Sequence, residues 1–153
     1  ALAVAAGHRG MVGGQAIDLE SVGKTITLAE LENMHRHKTG ALIEASVRMG
    51  ALCAGDLDVD RLDALTSCAR SLGLAFQVQD DLLDIEGSTE VIGKPQGSDQ
   101  AREKPTYPSL LGLDGAREHL QTLLAQAKSS LVDFGPEADS LRAMADYVVV
   151  RSH

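Results

Sequence analysis

The segment from Phe76 to Ile85 constrains the fold more than any other part of this sequence, because it joins apolar residues to three carboxylates. On a helix that turns about 100° per residue, one polar stripe roughly 100° wide contains Gln77, Asp80, Asp81 and Asp84. The other positions are apolar apart from Gln79, which is typical of a buried helix. Burying three carboxylates together is expensive, so the segment requires either basic partners or bound cations.

A polar cavity that binds hard cations is one way to accommodate the stripe. Mg²⁺ prefers carboxylate oxygens and keeps waters and substrate phosphates as its other ligands. Asp80 and Asp84 lie one turn apart and can each offer an oxygen to a shared ion, with Asp81 beside them. The alternative is a solvated acidic face, the commoner fate of a run of charges. We expect a metal site, because the apolar surroundings disfavour a solvated face.

The composition predicts an all-α fold. Aromatic residues make up only 3% of the 153 residues and Trp is absent. Strands favour β-branched and aromatic residues, whereas Ala and Leu are strong helix formers. The formal net charge of −8 argues against nucleic acid as a partner, because no basic stripe is present to neutralise its phosphates.

The sequence also bears on the location of the protein. No apolar run approaches the ~20 residues needed to span a membrane. Cys53 and Cys68 lack the spacing of a disulfide framework or a zinc site, so we expect free thiols in the helical core of a cytoplasmic protein. The opening residues lack an initiator Met and the basic start of a signal peptide, and they predict the interior of a helix in a longer protein.

Turn and capping residues divide the chain into helices. We predict helices over residues 1–19, 27–54, 59–85, 104–111, 116–134 and 137–151. The second begins with the capping-box spacing of Thr27 and Glu30. Residues 88–104 are predicted to form a loop long enough to be functional. Close backbone approach is expected in the first helix at four glycines: Gly7, Gly10, Gly13 and Gly14.

Five segments, in order, resemble the trans-isoprenyl diphosphate synthases. Residues 73–84, GLAFQVQDDLLD, look like the second aspartate-rich region of that family. The others are GGQAID at 13–18, HRHKTGAL at 35–42, GK at 93–94, and Asp99 to Lys104 leading into TYP at 106–108. Together they cover nearly the whole chain. The HKTG and KPTYP segments are most similar to bacterial farnesyl diphosphate synthases (geranyltranstransferases).

The resemblance implies an antiparallel helical bundle of the isoprenoid synthase type around a central cavity. Residues 1–153 would form the C-terminal portion of this single domain, and the protein would be a homodimer. The implied reaction joins isopentenyl diphosphate, the homoallylic substrate, to an allylic diphosphate (dimethylallyl or geranyl) to give farnesyl diphosphate. Mg²⁺, or Mn²⁺ in its place, would assist ionisation of the allylic diphosphate to a carbocation.

The resemblance also implies roles for individual residues. Three carboxylates would bind the metal: Asp80, Asp81 and Asp84. Lys38 would contact the allylic diphosphate, and the Thr39 hydroxyl and the Gln77 amide would lie near the developing cation. His35 and His37 are expected to be structural, because they lie about 200° apart on a helix.

Further basic and polar residues would complete the substrate site. Lys94 and Lys104 would reach the same diphosphate from the loop, and Arg151 would belong to a C-terminal tail that approaches the homoallylic diphosphate. Gln15 and Asp18 would line the cavity, with Asp18 holding a basic side chain in place. The alternative for the lysines is an ordinary solvated position, and for the polar residues an internally satisfied one.

The family also requires a first aspartate-rich motif, and Asp80-Asp81 is the only adjacent pair of aspartates in this sequence. We therefore expect the chain alone to be inactive in condensation and the longer protein to be active. One rival is a class I terpene cyclase, although its second metal motif follows an Asn/Asp–Ser/Thr–Glu pattern. The other is a non-catalytic scaffold or regulatory subunit, which would have no need of the aspartates together with the lysines.

Overall fold

The structure is a computed structural model that describes residues 1–55, 58–86 and 103–151. These residues form helices and connecting turns without a strand, which confirms the all-α prediction. In chain order the elements are α1 (Leu2–Ala6), α2 (Met11–Ser21), α3 (Leu28–His35), a π-helical segment (Arg36–Gly40), α4 (Ala41–Cys53), α5 (Val59–Glu86), α6 (Tyr107–Ser129), a 3₁₀ turn (Pro136–Ala138) and α7 (Asp139–Val150). Across the described ranges, no helix is both long and apolar enough to cross a membrane.

The core lies between α5 and α6, which run antiparallel. The first half of α5 packs against the end of α6, where Leu72 belongs to the same buried cluster as Ala127. The second half of α5 packs against the start of α6, where Val78 shares a cluster with Tyr107 and Leu120. In the second half of α5 the buried residues lie around most of the helix, as the sequence predicts for the largely apolar segment from Phe76 to Ile85.

Helix α4 packs antiparallel on the first half of α5. The Arg70 guanidinium is 2.8 Å from the Glu44 carboxylate, and one turn further along α4 the Arg48 guanidinium donates to the Thr66 hydroxyl over 3.3 Å. The residue number on α5 falls as the residue number on α4 rises, so the two helices are antiparallel. The bundle therefore brings the π-helical segment before α4 against the middle of α5.

Helix starts are predicted well from local sequence. Thr27 caps α3 with a reciprocal capping box to Glu30, and Thr106 caps α6 with the same arrangement to Ser109. The expected break within residues 104–134 occurs at Gly112, where φ is +73°. Glycine is favoured there because other residues are strained at positive φ.

Four expectations are wrong in detail. The helix over 1–19 is broken, because α1 ends at Ala6 and Gly10 precedes α2. The helix over 27–54 is interrupted by the π-helical segment. Helix α6 ends at Ser129 rather than 134, and a 3₁₀ turn precedes α7. Cys68 is a buried free thiol as expected, but Cys53 is exposed, because it lies at the end of α4 where packing stops.

Candidate active site

Asp18 joins two lysines that are far apart in sequence. Its Oδ2 accepts from Lys38 Nζ at 2.7 Å and lies 3.5 Å from Lys104 Nζ. Asp18 is only 4% exposed, whereas the two lysine side chains remain about a quarter exposed. Asp18 therefore holds two ammonium groups beside one another while both still reach solvent.

The charge state of Asp18 follows from these neighbours. Burial acts to raise the pKa of this carboxyl group, but the hydrogen bond and positive charge of Lys38, with those of Lys104, outweigh it. The pKa of Asp18 consequently lies below its ordinary value of 3.8. The Asp18 carboxylate thus lies between two ammonium groups, each of which carries three N–H donors suited to an anion.

Lys38 and Thr39 lie on the π-helical segment, which two glycines hold in place. A Cβ on Gly14 of α2 would lie 2.1 Å from the Lys38 backbone nitrogen, and one on Gly73 of α5 would lie 3.0 Å from Gly40 Cα. Only glycine allows these backbones to approach so closely. π-Helical turns are rare and frequently occur at functional sites. The close approach expected for the N-terminal glycines is confirmed at Gly14.

Two of the three aspartates line a cavity of about 490 Å³. Asp84 is 2% exposed, and the Asp81 Oδ2 accepts the backbone N–H of Tyr107 over 2.9 Å. Lys104 lines the same cavity, together with Lys24 and residues at the start of α6. Lys104 is thus common to the carboxylate cavity and the Asp18 cluster.

The third aspartate has a basic partner. Asp80 Oδ1 lies 2.6 Å from Arg151 Nη2, and the same guanidinium donates to the Phe76 carbonyl at 3.2 Å and covers the Phe76 ring at 4.0 Å. In return, Gln79 Nε2 donates to the Arg151 carbonyl at 3.1 Å. Arg151 therefore docks the end of α7 onto the aspartate-rich part of α5, with its side chain only 8% exposed.

The three aspartates suit a hard cation whose remaining ligands are waters and the oxygens of a bound anion. Within residues 1–55, 58–86 and 103–151, no three His, Cys, Asp or Glu side chains converge as a preformed metal cage. Mg²⁺ does not require one, because it is held by one or two carboxylates and completes its shell with waters and phosphate oxygens. Asp80, Asp81 and Asp84 supply such oxygens from adjacent turns of α5, and two of them face a cavity. These residues fit Mg²⁺.

The remaining predicted residues are placed less centrally. Gln77 on α5 and Thr39 on the π-helical segment are half-buried, and Gln15 on α2 is exposed. Lys94 lies outside the described residues. The structure thus brings Lys38, Lys104 and Asp18 together and places the aspartates along α5, but it does not bury Gln15 with Asp18.

The sequence predicts a structural role for His35, but it does not predict the buried pair that His35 forms with Tyr107. Tyr107 is fully buried, and its hydroxyl oxygen lies 3.4 Å from His35 Nδ1. Burial and the nearby positive charge of Lys38 lower the pKa of His35 to about 4, so its ring is neutral. The sequence signal was a tyrosine between two prolines in a chain with few aromatic residues.

Comparison with known proteins identifies the family. The model of the polyprenyl synthetase family matches residues 4–134, which is most of the chain. The chain belongs to the polyprenyl synthetase family. This confirms the resemblance inferred from the five sequence segments.

Curated members of the family are similar over nearly the whole chain. The farnesyl diphosphate synthase of Escherichia coli K12 is 51% identical over 154 residues, which cover 99% of this chain and 52% of that protein. The farnesyl diphosphate synthase of Geobacillus stearothermophilus is 49% identical, with 99% and 51% covered. The chain spans about half the length of the curated relatives it matches.

Solved structures of the family have the same fold. A polyprenyl synthase from Caulobacter crescentus, complexed with calcium and isoprenyl diphosphate, aligns with a TM-score of 0.87 at 26% identity, over 95% of this chain and 56% of that one. A geranyltransferase from Helicobacter pylori, complexed with magnesium and isoprenyl diphosphate, aligns with a TM-score of 0.81 at 32% identity, over 97% and 48%. The chain therefore has the isoprenoid synthase fold over nearly all its length.

Proposed function

We propose that the full-length protein carrying this chain is a trans-prenyltransferase of the farnesyl diphosphate synthase type. It would join isopentenyl diphosphate to dimethylallyl or geranyl diphosphate and give farnesyl diphosphate. The observation that carries the proposal is the position of Lys104, which contacts Asp18 beside Lys38 and also lines the cavity of Asp81 and Asp84. Lys104 thus shares a cavity with Asp81 and Asp84 and shares its partner Asp18 with Lys38, which supports binding of a metal-bridged diphosphate.

The residues of this chain would act on the leaving diphosphate. Lys38 and Lys104 would donate charge-assisted hydrogen bonds to its oxygens, which stabilise the negative charge that develops as the allylic C–O bond breaks. Asp18 would keep both ammonium groups in position, so that little reorganisation accompanies binding. Lys94, which lies outside the described residues, would add a third cation. When bound, Mg²⁺ would neutralise the diphosphate and act as a Lewis acid, held by Asp80, Asp81 and Asp84.

Other predicted residues would serve the reacting carbon chains. The Thr39 hydroxyl and the Gln77 amide oxygen would face the developing allylic cation, where their dipoles stabilise positive charge. Gln15 would line the outer part of the substrate site. Arg151 would exchange its contact with Asp80 for one with the homoallylic diphosphate, because both are anionic partners for the same guanidinium.

The test is a condensation assay on the full-length protein, with geranyl diphosphate and isopentenyl diphosphate in the presence of Mg²⁺. Wild-type protein is expected to form farnesyl diphosphate, and chelation of divalent metal should abolish the activity. Asp81→Asn should lower kcat by about a hundredfold or more, the usual effect of losing one group that stabilises transition-state charge. Asp63→Asn, at an exposed position on the same helix, is the matched control and should retain activity.

Three outcomes would contradict the proposal in different ways. Failure to bind inorganic diphosphate in a Mg²⁺-dependent manner would favour a scaffold or regulatory subunit. Consumption of an allylic diphosphate without isopentenyl diphosphate would favour a class I terpene cyclase. Condensation by residues 1–153 alone would overturn the expectation that this chain is inactive by itself.

We further propose that the protein is a cytoplasmic homodimer. The homodimer is the assembly that the family resemblance implies. Sedimentation of the full-length protein at increasing concentration tests this proposal, and a monomer at every concentration would refute it. Cell fractionation of the source organism tests the location, and recovery with the membranes would refute it.

A further inference from the structure

Tyr107 contacts Asp81 through its backbone and His35, the residue before the π-helical segment, through its side chain. It is the first residue of α6, where backbone N–H groups lack a partner within the helix. Its N–H donates to Asp81 Oδ2 over 2.9 Å, which is favourable because helix N-termini attract negative charge. Its hydroxyl lies at the other end of a fully buried side chain, beside His35.

The Tyr107 hydroxyl and the His35 ring are both uncharged hydrogen-bonding groups. A tyrosine hydroxyl carries its proton at neutral pH and can donate or accept. His35 is neutral, so its ring has one donor and one acceptor nitrogen. The hydroxyl oxygen and His35 Nδ1 lie 3.4 Å apart, which is a long hydrogen bond whose direction depends on the tautomer of His35. His35 directly precedes the π-helical segment that carries Lys38.

We propose that Tyr107 is a positioning residue that fixes Asp81 relative to Lys38, so that a carboxylate-bound cation and an ammonium group can grip the same diphosphate. The inference rests on the proposed function, because it concerns the same site. Tyr107 itself does not touch the substrate. It sets the distance between the two elements that do.

A second connection runs parallel to this one. Lys104, three residues before Tyr107, meets Lys38 through their common partner Asp18. The 104–107 segment therefore contacts the π-helical region at both ends, through Asp18 at Lys104 and through His35 at Tyr107. Ring packing adds to the contact with His35, because the Tyr107 ring lies 5.4 Å from the ring of His35 and 5.5 Å from the ring of His119.

Tyr107→Phe separates the hydroxyl from every other contribution of this residue. The variant keeps the buried ring and the backbone N–H on Asp81, and it loses only the hydrogen bond to His35. Tyr147→Phe is the matched control, because it removes the same group from an exposed tyrosine on α7. If Tyr107→Phe does not fold, His35→Leu removes the other partner of this hydrogen bond and serves for the same measurements.

The first measurement needs neither metal nor substrate. Hydrogen exchange of the backbone amides in Arg36–Gly40 is followed in the full-length protein. Tyr107→Phe should accelerate their exchange about fivefold, the effect of losing one hydrogen bond, and Tyr147→Phe should not. Unchanged exchange in this segment, or equal acceleration throughout the protein, would show that the hydroxyl does not hold the π-helical region.

The second measurement is a double-mutant cycle on binding of inorganic diphosphate with Mg²⁺. Tyr107→Phe should weaken binding about fivefold in wild-type protein and by less than about twofold in Lys38→Met, because the hydroxyl acts through Lys38. Equal weakening in both backgrounds would refute the positioning role. If wild-type protein does not bind diphosphate, the proposed function fails, and the exchange measurement still decides whether Tyr107 holds the π-helical segment.

Discussion

Buried His35 should make the stability of this protein depend on pH between about 6.5 and about 4. Its pKa is lowered from 6.5 to about 4, mainly by burial and also by the positive charge of Lys38. As the pH falls through 6.5, the unfolded chain binds a proton on this imidazole, whereas the folded protein does not until about pH 4. The unfolded state therefore gains stability relative to the folded state across this window, and the free energy of unfolding falls.

The magnitude follows from the two pKa values. Each pH unit within the window lowers the free energy of unfolding by about 1.36 kcal/mol. Acidification to about pH 5 crosses roughly 1.5 units below the unfolded value, so His35 alone should remove about 2 kcal/mol. Asp18 acts in a separate range, because its lowered pKa affects stability only as the pH approaches and passes below 3.8.

The assay is urea-induced unfolding of wild type and His35→Gln at about pH 7 and about pH 5, followed by circular dichroism. Glutamine keeps a polar side chain but cannot titrate, so the variant should lose about 2 kcal/mol less than wild type between the two pH values. His8→Gln changes an exposed histidine in the same way and should match wild type. Equal losses in wild type and His35→Gln would refute the argument, because some other group would then account for the pH dependence.

Two further predictions concern how the Asp18 cluster and the π-helical segment are held. Gly14→Ala should destabilise the protein by about 3 kcal/mol in urea unfolding, because the added Cβ meets the Lys38 backbone nitrogen, whereas Gly50→Ala, with nothing within 4 Å, should be neutral or stabilising. Asp18→Asn should cost about 1–2 kcal/mol by the same measurement, since it leaves two partly buried ammonium groups without their carboxylate. Its control, Asp114→Asn, removes an exposed ion pair and should change stability by less than about 0.5 kcal/mol; equal losses at Asp18 and Asp114 would contradict the role of burial.

Local sequence predicted the elements whose cause is local. The capping box at Thr27 and the apolar face of α5 are set by residues within a few positions of one another. The carboxylate stripe is also a property of one helix, so its existence followed from periodicity alone. The burial of each carboxylate could not be predicted in this way. Asp84 is buried while Asp80 is half exposed, and this difference depends on which helices pack on each side of α5.

The π-helical segment could not be predicted, because its cause lies elsewhere in the chain. Its sequence is compatible with an ordinary helix, and the interruption coincides with close backbone contacts from Gly14 and Gly73. The sequence shows the glycines, but it does not show which element each glycine packs against. The contact between Tyr107 and His35 could not be predicted either, because the two residues are 72 positions apart in the sequence.

From the sequence alone, the lysines are expected to be counter-charges for a bound diphosphate. Among the described residues, however, these charged side chains already have partners within the protein. Asp18 neutralises part of the charge of Lys38 and Lys104, and Arg151 covers Asp80. This arrangement avoids the desolvation penalty that isolated charges would pay before substrate arrives. On the proposed function, binding of a diphosphate would be an exchange of partners, in which Lys38 and Lys104 would donate to its oxygens as well as to Asp18, and Arg151 would leave Asp80 for a diphosphate oxygen. Such an exchange would let an acidic protein hold an anion without storing uncompensated charge in its core.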